Sequence, residues 1–273
     1  MNLILIEALA AATYLGLAIL VWRMHAPGAA PPRGANWLRT ALLLPLSLHG
    51  SVLIETTIAS EVMHFGFAQA LSLTLWLAVL IYWVESFYLR LDGLLALALP
   101  LAAVTVLLPA AFPGFEFPLG QTALALRLHL LSAIAAYSLF TIAALQALFL
   151  SLLERRLHQG SLRGIFAQVP PVLTLERVLF QMIAAGLALL TLVIVSGFTF
   201  SEEMFGRAFR VDHKTLFAML SWAIFAALLF GRWRWGWRGR KALRWLLAGF
   251  ACLLLAYVGS RFVFEVILDR APT

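Results

Sequence analysis

Eight apolar stretches constrain this chain more than any other feature of its sequence. A helix needs about 20 consecutive apolar residues to cross the hydrocarbon core of a bilayer. Lipid offers no hydrogen-bond partner to a backbone, so an open chain crosses it only as helices. The sequence therefore predicts an all-α, polytopic bundle of about eight transmembrane spans, at residues 3–22, 39–58, 66–84, 94–112, 124–152, 178–200, 215–231 and 243–264.

The composition also indicates a membrane protein. Of the 273 residues, 63% are hydrophobic and 12% are charged, whereas a soluble domain is about half apolar and about a quarter charged. We see no repeat and no soluble domain, so residues 1–273 are expected to form a single integral-membrane domain. The first apolar stretch begins at once, carries Glu7 and lacks a basic leader, so we expect it to remain as a span.

The basic residues are distributed unevenly between the two sets of loops. Fourteen of the 20 Lys and Arg residues lie in or beside the connections after spans one, three, five and seven, and six lie on the other side. The positive-inside rule places the richer set in the cytoplasm, so both termini are predicted to lie outside. Orientation in the lipid bilayer accounts for these charges, and we do not expect a nucleic-acid partner.

Two segments interrupt the apolar pattern. Span four contains Pro100 and Pro109, which kink a helix or mark its end, and residues 111–119 are apolar but rich in turn residues, as expected at the membrane interface. The connection at residues 232–241 reads R-W-R-W-G-W-R-G-R-K. It is either a site for anionic lipid, because Trp favours the interface and Arg pairs with phosphate, or a plain basic turn with an aromatic anchor.

Thiol and zinc chemistry find little support in the sequence. The one cysteine, Cys252, lies in an apolar stretch, so thiol exchange by this chain alone is excluded. The sequence has no H-E-x-x-H motif and no pair of carboxylates beside the histidines. A zinc centre or a hydrolase centre is therefore poorly supported.

Four of the six histidines fall on four different spans at similar depth, toward the predicted outer side. Imidazole suits iron, copper and zinc, and haem iron takes one or two axial ligands from different helices across a flat cavity. The group therefore indicates a haem site, with a b-type haem as the expected cofactor and with His129 and His213 as the first pair to consider for the iron. The four are His49 in span two, His64 before span three, His129 at the start of span five and His213 at the start of span seven.

His129 begins a stripe of small and polar residues along an otherwise apolar helix. Residues at positions i+3, i+4, i+7 and i+8 share one face of a helix, and a small-residue stripe in a membrane helix faces its neighbours. An ionisable side chain on such a stripe is a hypothesis for a functional site. The residues that follow His129 on this face are Ser132, Ala133, Ala136 and Tyr137, the last of which we include in the candidate site.

His49 lies well inside its span, where an ionisable side chain is costly unless it has a partner. Ser47 and Glu55 lie near it in the sequence and are candidates for that partner. A structural hydrogen bond and a role as a haem ligand both remain open for His49.

Several cations are predicted on the same side as the four histidines. Arginine pairs well with carboxylates, and haem carries two propionates for which these cations are candidate partners. Arg261 is the first choice because it lies near the end of a span, where lipid is least favourable to a charge. The others are Arg127, Arg210 and Lys214.

Four segments resemble the cytochrome c assembly family, of the CcsA, CcmC and HemX type. Residues 127–148 are similar to the fifth-helix pattern of that family, and residues 63–77 to its segment in which a histidine precedes a helix. Residues 215–240 and 255–263 resemble the branch named for the inner-membrane protein YpjD and for HemX. The number and order of spans agree, so the resemblance covers essentially the whole chain.

The resemblance implies a multi-pass protein of the bacterial inner membrane that handles haem, with His129 and His64 matching two histidines of the family. Family members that deliver haem carry a Trp-rich outer signature ending in W-D, and the outer loops of this chain contain no tryptophan. This difference argues against haem-lyase chemistry and against enzymatic activity of the chain's own side chains. Other cytochrome c maturation proteins or membrane proteins are the partners that the resemblance implies.

The leading hypothesis is a membrane protein that binds or relays haem near the outer face, with His129 as one axial ligand and His213, His64 or His49 as the second. A transporter of a small substrate is an alternative, based on an interrupted span four and on a pair formed by His49 and Glu55. A third hypothesis is a partner without haem that stabilises another membrane complex through residues 232–241.

Overall fold

Eight long apolar helices account for most of the chain that the structure describes. The structure is a computed structural model, and it describes residues 3–26, 36–57, 62–89, 91–118, 124–160, 164–166, 169–199 and 212–267. All eight helices are long and apolar enough to cross a membrane, which confirms the predicted helical fold with eight spans. They are α1 (Leu3–Met24), α2 (Asn36–Thr57), α3 (Phe67–Glu85), α4 (Asp92–Ala111), α5 (Leu124–His158), α6 (Val172–Thr199), α7 (His213–Trp235) and α8 (Gly239–Ile267).

The helices form two groups that meet along α3 and α5. In the first group α1 packs against α2 and α4, and α3 packs against α4. In the second group α6 packs between α5 and α7, and α8 packs against α5 and α7. The core between them is built from large buried side chains such as Leu94, Leu99, Phe140 and Phe149. The candidate site residues therefore sit on a bundle whose helices are packed on each other in a defined order.

The helix ends divide the bundle into two ends. The last residues of α1, α3, α5 and α7 lie at one end, which we call the basic end; there Gly164 lies next to the backbone of His25, and Gly93 lies next to Ile165. The last residues of α2, α4 and α6 lie at the other end, which we call the outer end after the predicted orientation. At the basic end α7 ends at Gly236, whose φ of 65° is the left-handed conformation that favours glycine.

A short antiparallel ribbon at the outer end is a feature that the sequence did not predict. Strand β1 (Val62–Phe65) pairs with strand β2 (Phe115–Pro118), and the Cα of His64 lies opposite that of Glu116. The second strand lies in the segment 111–119, for which the sequence predicts an irregular stretch at the membrane interface. Each strand has four residues, which is too short for an alternating pattern to stand out in the sequence.

Span four is not interrupted, and this corrects the expectation drawn from its prolines. Both Pro100 and Pro109 lie inside the continuous helix α4. A proline cannot donate a hydrogen bond to the carbonyl four residues earlier, so Pro100 leaves the Ala96 carbonyl without its helical donor. In the structure Trp22 of α1 donates its indole N–H to that carbonyl, at 3.4 Å. A neighbouring helix thus supplies the donor, as membrane helices require.

Close packing between α5 and α6 gives a first testable prediction. A Cβ at Gly186 would lie 2.9 Å from the ring of Phe140, and that ring is stacked on Phe225 at a centroid distance of 3.9 Å. Gly186→Leu should therefore destabilise the detergent-solubilised protein by about 1–3 kcal/mol, because overpacking forces the rings apart. Thermal unfolding followed by the loss of monodisperse protein measures this change. Gly16→Leu is the control, because nothing lies within 4 Å of a Cβ at Gly16; equal effects of the two changes would contradict the prediction.

Candidate functional site

His129 lies in the outer half of α5, against the outer end of α6. Its Nδ1 atom is 2.8 Å from the Oγ atom of Ser196. The Ser196 hydroxyl is also 3.1 Å from the backbone carbonyl of Val193, one turn earlier in α6. A Cβ at Gly197 would lie 3.4 Å from the Cε1 atom of His129. The absence of a side chain at Gly197 lets the imidazole approach the α6 backbone closely.

The two contacts of Ser196 can be satisfied together in one arrangement of protons. A serine hydroxyl has one proton to donate, and a carbonyl only accepts. In that arrangement Ser196 donates to Val193 and accepts from a protonated Nδ1 of His129. In the neutral imidazole the lone pair is then on Nε2. Metal-ligating histidines are commonly fixed in this way, with the second ring nitrogen donating to a protein group.

Tyr137 lies two turns along α5 from His129 and connects α5 to α8. Its hydroxyl donates to the backbone carbonyl of Leu253, at 2.6 Å. Leu253 lies just before a π turn of α8 at Leu255–Gly259. Such turns shift the backbone hydrogen bonds by one residue and occur often at functional sites. Tyr137 therefore positions the distorted part of α8, and the buried Ala136 beside it agrees with the prediction that this face meets neighbouring helices.

Arg261, Tyr257 and Glu265 form a group that we call the outer cluster. The guanidinium carbon of Arg261 is 5.6 Å from the ring centroid of Tyr257, and its charge acts on the Glu265 carboxylate one turn further along α8. One oxygen of Glu265 accepts from the backbone N–H of Phe67, at 3.3 Å. Phe67 is the first residue of α3, so Glu265 places a negative charge at the positive end of that helix.

A glycine makes the approach of Glu265 to α3 possible. A Cβ at Gly66 would lie 2.7 Å from one carboxylate oxygen of Glu265 and 2.9 Å from the other. The rings of Phe65 and Phe67 on either side pack on Tyr257 and Phe262, at centroid distances of 6.1 and 5.3 Å. The segment that joins β1 to α3 is therefore fitted against the π turns of α8.

His49 is completely buried between α1 and α3, and its partners differ from those predicted. Its Nε2 atom is 2.8 Å from the Ser72 hydroxyl, and its Nδ1 atom is 3.4 Å from the Tyr14 hydroxyl. Ser47 and Glu55, the partners expected from the sequence, are both exposed. Residues two or six positions away do not share a face of a helix with His49, and this explains the wrong prediction.

His213 and Lys214 lie at the outer end, at the start of α7. His213 is exposed at the first position of α7, after the N-cap Asp212, whose side chain accepts from the backbone N–H of Thr215 at 2.9 Å. Burial raises the pKa of the Asp212 carboxyl, but the Thr215 hydrogen bonds and the nearby Lys214 and His213 outweigh it and hold that pKa below its usual value. The side chains of His64 and Arg127, and the residue Arg210, lie outside the described part of the structure.

The candidate site residues that the structure describes thus lie in separate groups and do not contact one another at a single site. His129 belongs to the contact between α5 and α6, His49 to the contact between α1 and α3, and Arg261 to the outer cluster. Sequence reasoning missed Ser196 and Glu265. Glu265 follows Arg261 by four residues, a spacing that is typical of paired charges on one helix face. Ser196 precedes Gly197 in a span.

Comparison with known protein families matches residues 37–268 to the cytochrome c assembly protein model. This chain belongs to the cytochrome c assembly family. The match covers seven of the eight helices entirely or in large part, from α2 to α8, and it confirms the resemblance drawn from the sequence motifs. The protein is therefore a membrane protein related to cytochrome c biogenesis.

Three relatives illustrate how this chain compares in sequence with known proteins. Inner membrane protein YpjD of Escherichia coli is 32% identical over 139 residues, which are 51% of this chain and 52% of YpjD. An uncharacterised 28.8 kDa protein of Azospirillum brasilense is 30% identical over 75% of this chain and 77% of its own length. Cytochrome c biogenesis protein CcsA of Synechocystis is 34% identical over 32% of this chain and 26% of CcsA.

The match to YpjD thus spans about half the length of that relative. Eight apolar helices and a relative that is named as an inner-membrane protein confirm the predicted multi-pass location in the bacterial inner membrane. No solved structure matches the chain significantly.

Three of the segments that resemble the cytochrome c assembly family meet in space. Residues 127–148 contribute Tyr137, residues 63–77 contribute Phe65 to Phe67, and residues 255–263 contribute the π turn with Tyr257 and Arg261. Segments that are far apart in the sequence are therefore neighbours around the outer half of α8.

The contacts of His49 predict that it stabilises the fold. His49→Ala leaves the buried Tyr14 and Ser72 hydroxyls without their partner and should cost about 2 kcal/mol or more of stability. His129→Ala removes a side chain that is only partly buried and should cost less. Thermal unfolding of the two variants in the same detergent measures the difference. A His49→Ala variant as stable as the wild type would contradict the structural role.

Proposed function

We propose that this member of the cytochrome c assembly family binds a b-type haem near its outer end and that Nε2 of His129 is one axial ligand. The observation that carries the proposal is the 2.8 Å contact between Nδ1 of His129 and the Ser196 hydroxyl. When Nδ1 donates in this contact, the lone pair of the neutral imidazole is on Nε2. Imidazole with a fixed tautomer is a suitable ligand for haem iron. Family membership supports haem as the cofactor, since the family is defined by cytochrome c assembly.

The second axial position has three candidates, and the contacts rank them. His213 begins α7, the helix that packs beside α6, and its side chain is exposed. His64 lies in β1, at the same end of the bundle. His49 engages both ring nitrogens with Tyr14 and Ser72, so it would have to give up one of these bonds to reach iron. We therefore favour His213 or His64 over His49.

The cations of the outer end are the proposed partners of the haem propionates. Arg261 already lies near the carboxylate of Glu265 in the outer cluster, and a propionate would add a second negative group to its surroundings. Arg127 is a second candidate, because it lies two residues before His129 at the outer end of α5. Arginine matches the geometry of a carboxylate through paired N–H donors.

In this proposal the protein holds or relays haem and makes no bond in its substrate. Bound haem would supply a redox-active iron whose potential depends on its axial ligands. The chain's own residues fix the ligand, balance the propionate charge and exclude lipid from the site. Other cytochrome c maturation proteins or membrane proteins are the expected donors or recipients.

The transporter alternative has lost both observations on which it was based. Helix α4 is continuous through Pro100 and Pro109. His49 does not pair with Glu55, which is exposed on α2. A partner that stabilises another membrane complex through residues 232–241 remains compatible with the family, but no described contact favours it over haem handling.

A visible spectrum tests the proposed function directly. The wild-type protein, purified in detergent and titrated with haem, should give a Soret band and paired α and β bands in its reduced-minus-oxidised spectrum, and His129→Ala should lose them. His158→Ala is the matched control, because His158 also lies on α5 but at the basic end, where its Nδ1 bonds to the Glu154 carbonyl at 2.7 Å. A wild-type spectrum that stays flat during the titration would rule out the proposal.

The Ser196 hydroxyl allows a sharper test of His129 as a haem ligand. Ser196→Ala removes the acceptor of the His129 Nδ1–H and should weaken haem affinity about tenfold or more, as loss of such a second hydrogen bond does at other metal sites. Thr199→Ala is the control, because Thr199 lies one turn away and bonds to its own helix, at the Val195 carbonyl. Haem titration of both variants measures the affinities. Equal affinities would show that Ser196 does not position the ligand.

A further inference from the structure

A cavity of about 450 Å³ opens at the basic end of the bundle, between α6 and α7. It lies at the opposite end of both helices from Ser196 and His213, so it is distinct from the proposed haem site. Three of its lining residues are arginines that come from three different parts of the chain: Arg177 from α6, Arg232 from α7, and Arg238 from the connection between α7 and α8.

Arg232 is held in place by contacts on several sides. Its guanidinium carbon lies 4.6 Å from the ring centroid of Phe180, and Nη1 donates to the Trp237 carbonyl at 3.4 Å. The same nitrogen is 3.8 Å from a carboxylate oxygen of Glu176, and the side chain is 26% exposed. The cation is therefore fixed at the cavity instead of extending freely into solvent.

Arg238 is oriented by the same glutamate. Its Nε atom donates to Glu176 at 2.8 Å, a bond that uses one of the five N–H donors of the guanidinium. Its side chain is half exposed, whereas that of Glu176 is 12% exposed. Glu176 thus anchors two arginines and offsets part of the charge of the three that line the cavity. The cavity therefore keeps a net positive charge.

Apart from Gln181, the rest of the cavity lining is apolar, and it lies beside residues suited to a membrane interface. Phe180, Ala184 and Leu173 line it, and Leu173 is 64% exposed. On the adjoining turn of α7, Trp233 and Trp235 are 80% and 60% exposed. Tryptophan prefers the level of the lipid headgroups. The arginines therefore lie where a headgroup would be, next to a surface that acyl chains can cover.

We propose that this cavity binds the phosphate of an anionic phospholipid. Fixed arginines recognise phosphate through charge-assisted hydrogen bonds, and a basic pocket between membrane helices is the arrangement that binds lipid headgroups. The apolar wall and the exposed Leu173 favour a phosphate that carries acyl chains over free inorganic phosphate. The lipid fastens the basic ends of α6 and α7 to each other.

Lipid titration of the delipidated protein tests this site without reference to haem. In detergent, phosphatidylglycerol should raise the unfolding temperature, because a ligand that binds only the folded state stabilises it. Phosphatidylcholine and inorganic phosphate should have no comparable effect. The double variant Arg177→Gln, Arg238→Gln should need more phosphatidylglycerol for the same response, by about fivefold for each arginine removed.

The control has the same charge change at neighbouring positions outside the cavity. Arg234→Gln with Arg240→Gln removes two arginines from the last turn of α7 and the first turn of α8, and it should respond like the wild type. Leu173→Asp is a second test, because a helix accepts an acidic residue in its first turn and the new carboxylate repels the phosphate. An equal loss in both arginine pairs, a wild-type response to inorganic phosphate or phosphatidylcholine, or a full response of Leu173→Asp would overturn the proposal.

Discussion

The need to give every polar group a protein partner governs this structure, because lipid provides none. The interhelical hydrogen bonds that meet this need end mostly on backbone carbonyls. Trp22 donates to the carbonyl that Pro100 leaves without a donor, Tyr137 donates next to the π turn of α8, and the buried Gln146 donates to the Leu175 carbonyl of α6 at 3.1 Å. Each bond fixes the distance and rotation between two helices, which apolar packing alone leaves less defined.

The helices themselves could be predicted from sequence because bilayer thickness sets their length and apolar composition marks their extent. The distant contacts that the helices and strands make with each other could not be predicted in this way. In the continuous helix α4, the Ala96 carbonyl that Pro100 leaves without a donor accepts from Trp22, which lies 74 residues away in the sequence. The ribbon pairs Val62 with Pro118 across two intervening helices of the fold, α3 and α4. Local patterns contain no information on such distant pairings.

In the candidate site, too, features set by helical spacing could be predicted and contacts between distant residues could not. Position along a helix identified His129 as a candidate and Tyr137 as part of the inward face, since both follow from helical spacing. The feature that gives His129 its chemical character is the Ser196 hydroxyl, which is 67 residues away. The prediction for His49 failed for the opposite reason: it selected partners close in sequence, whereas Tyr14 and Ser72 come from α1 and α3.

The distortion of α8 explains how charged residues can occupy a membrane helix at the outer end. A charge within a span must face the protein, and a π turn changes the face on which the following residues lie by adding a residue to the turn. The π turns at Leu255–Gly259 and Val263–Ile267 flank Arg261, and the second of them includes Glu265. They turn Glu265 toward the N–H groups at the start of α3 and bring Arg261 beside Tyr257. Because Tyr137 holds the carbonyl just before the first π turn, α5 is coupled through α8 to the first residues of α3. One chain of contacts therefore links α5, which carries His129, to β1, the ribbon strand that carries His64.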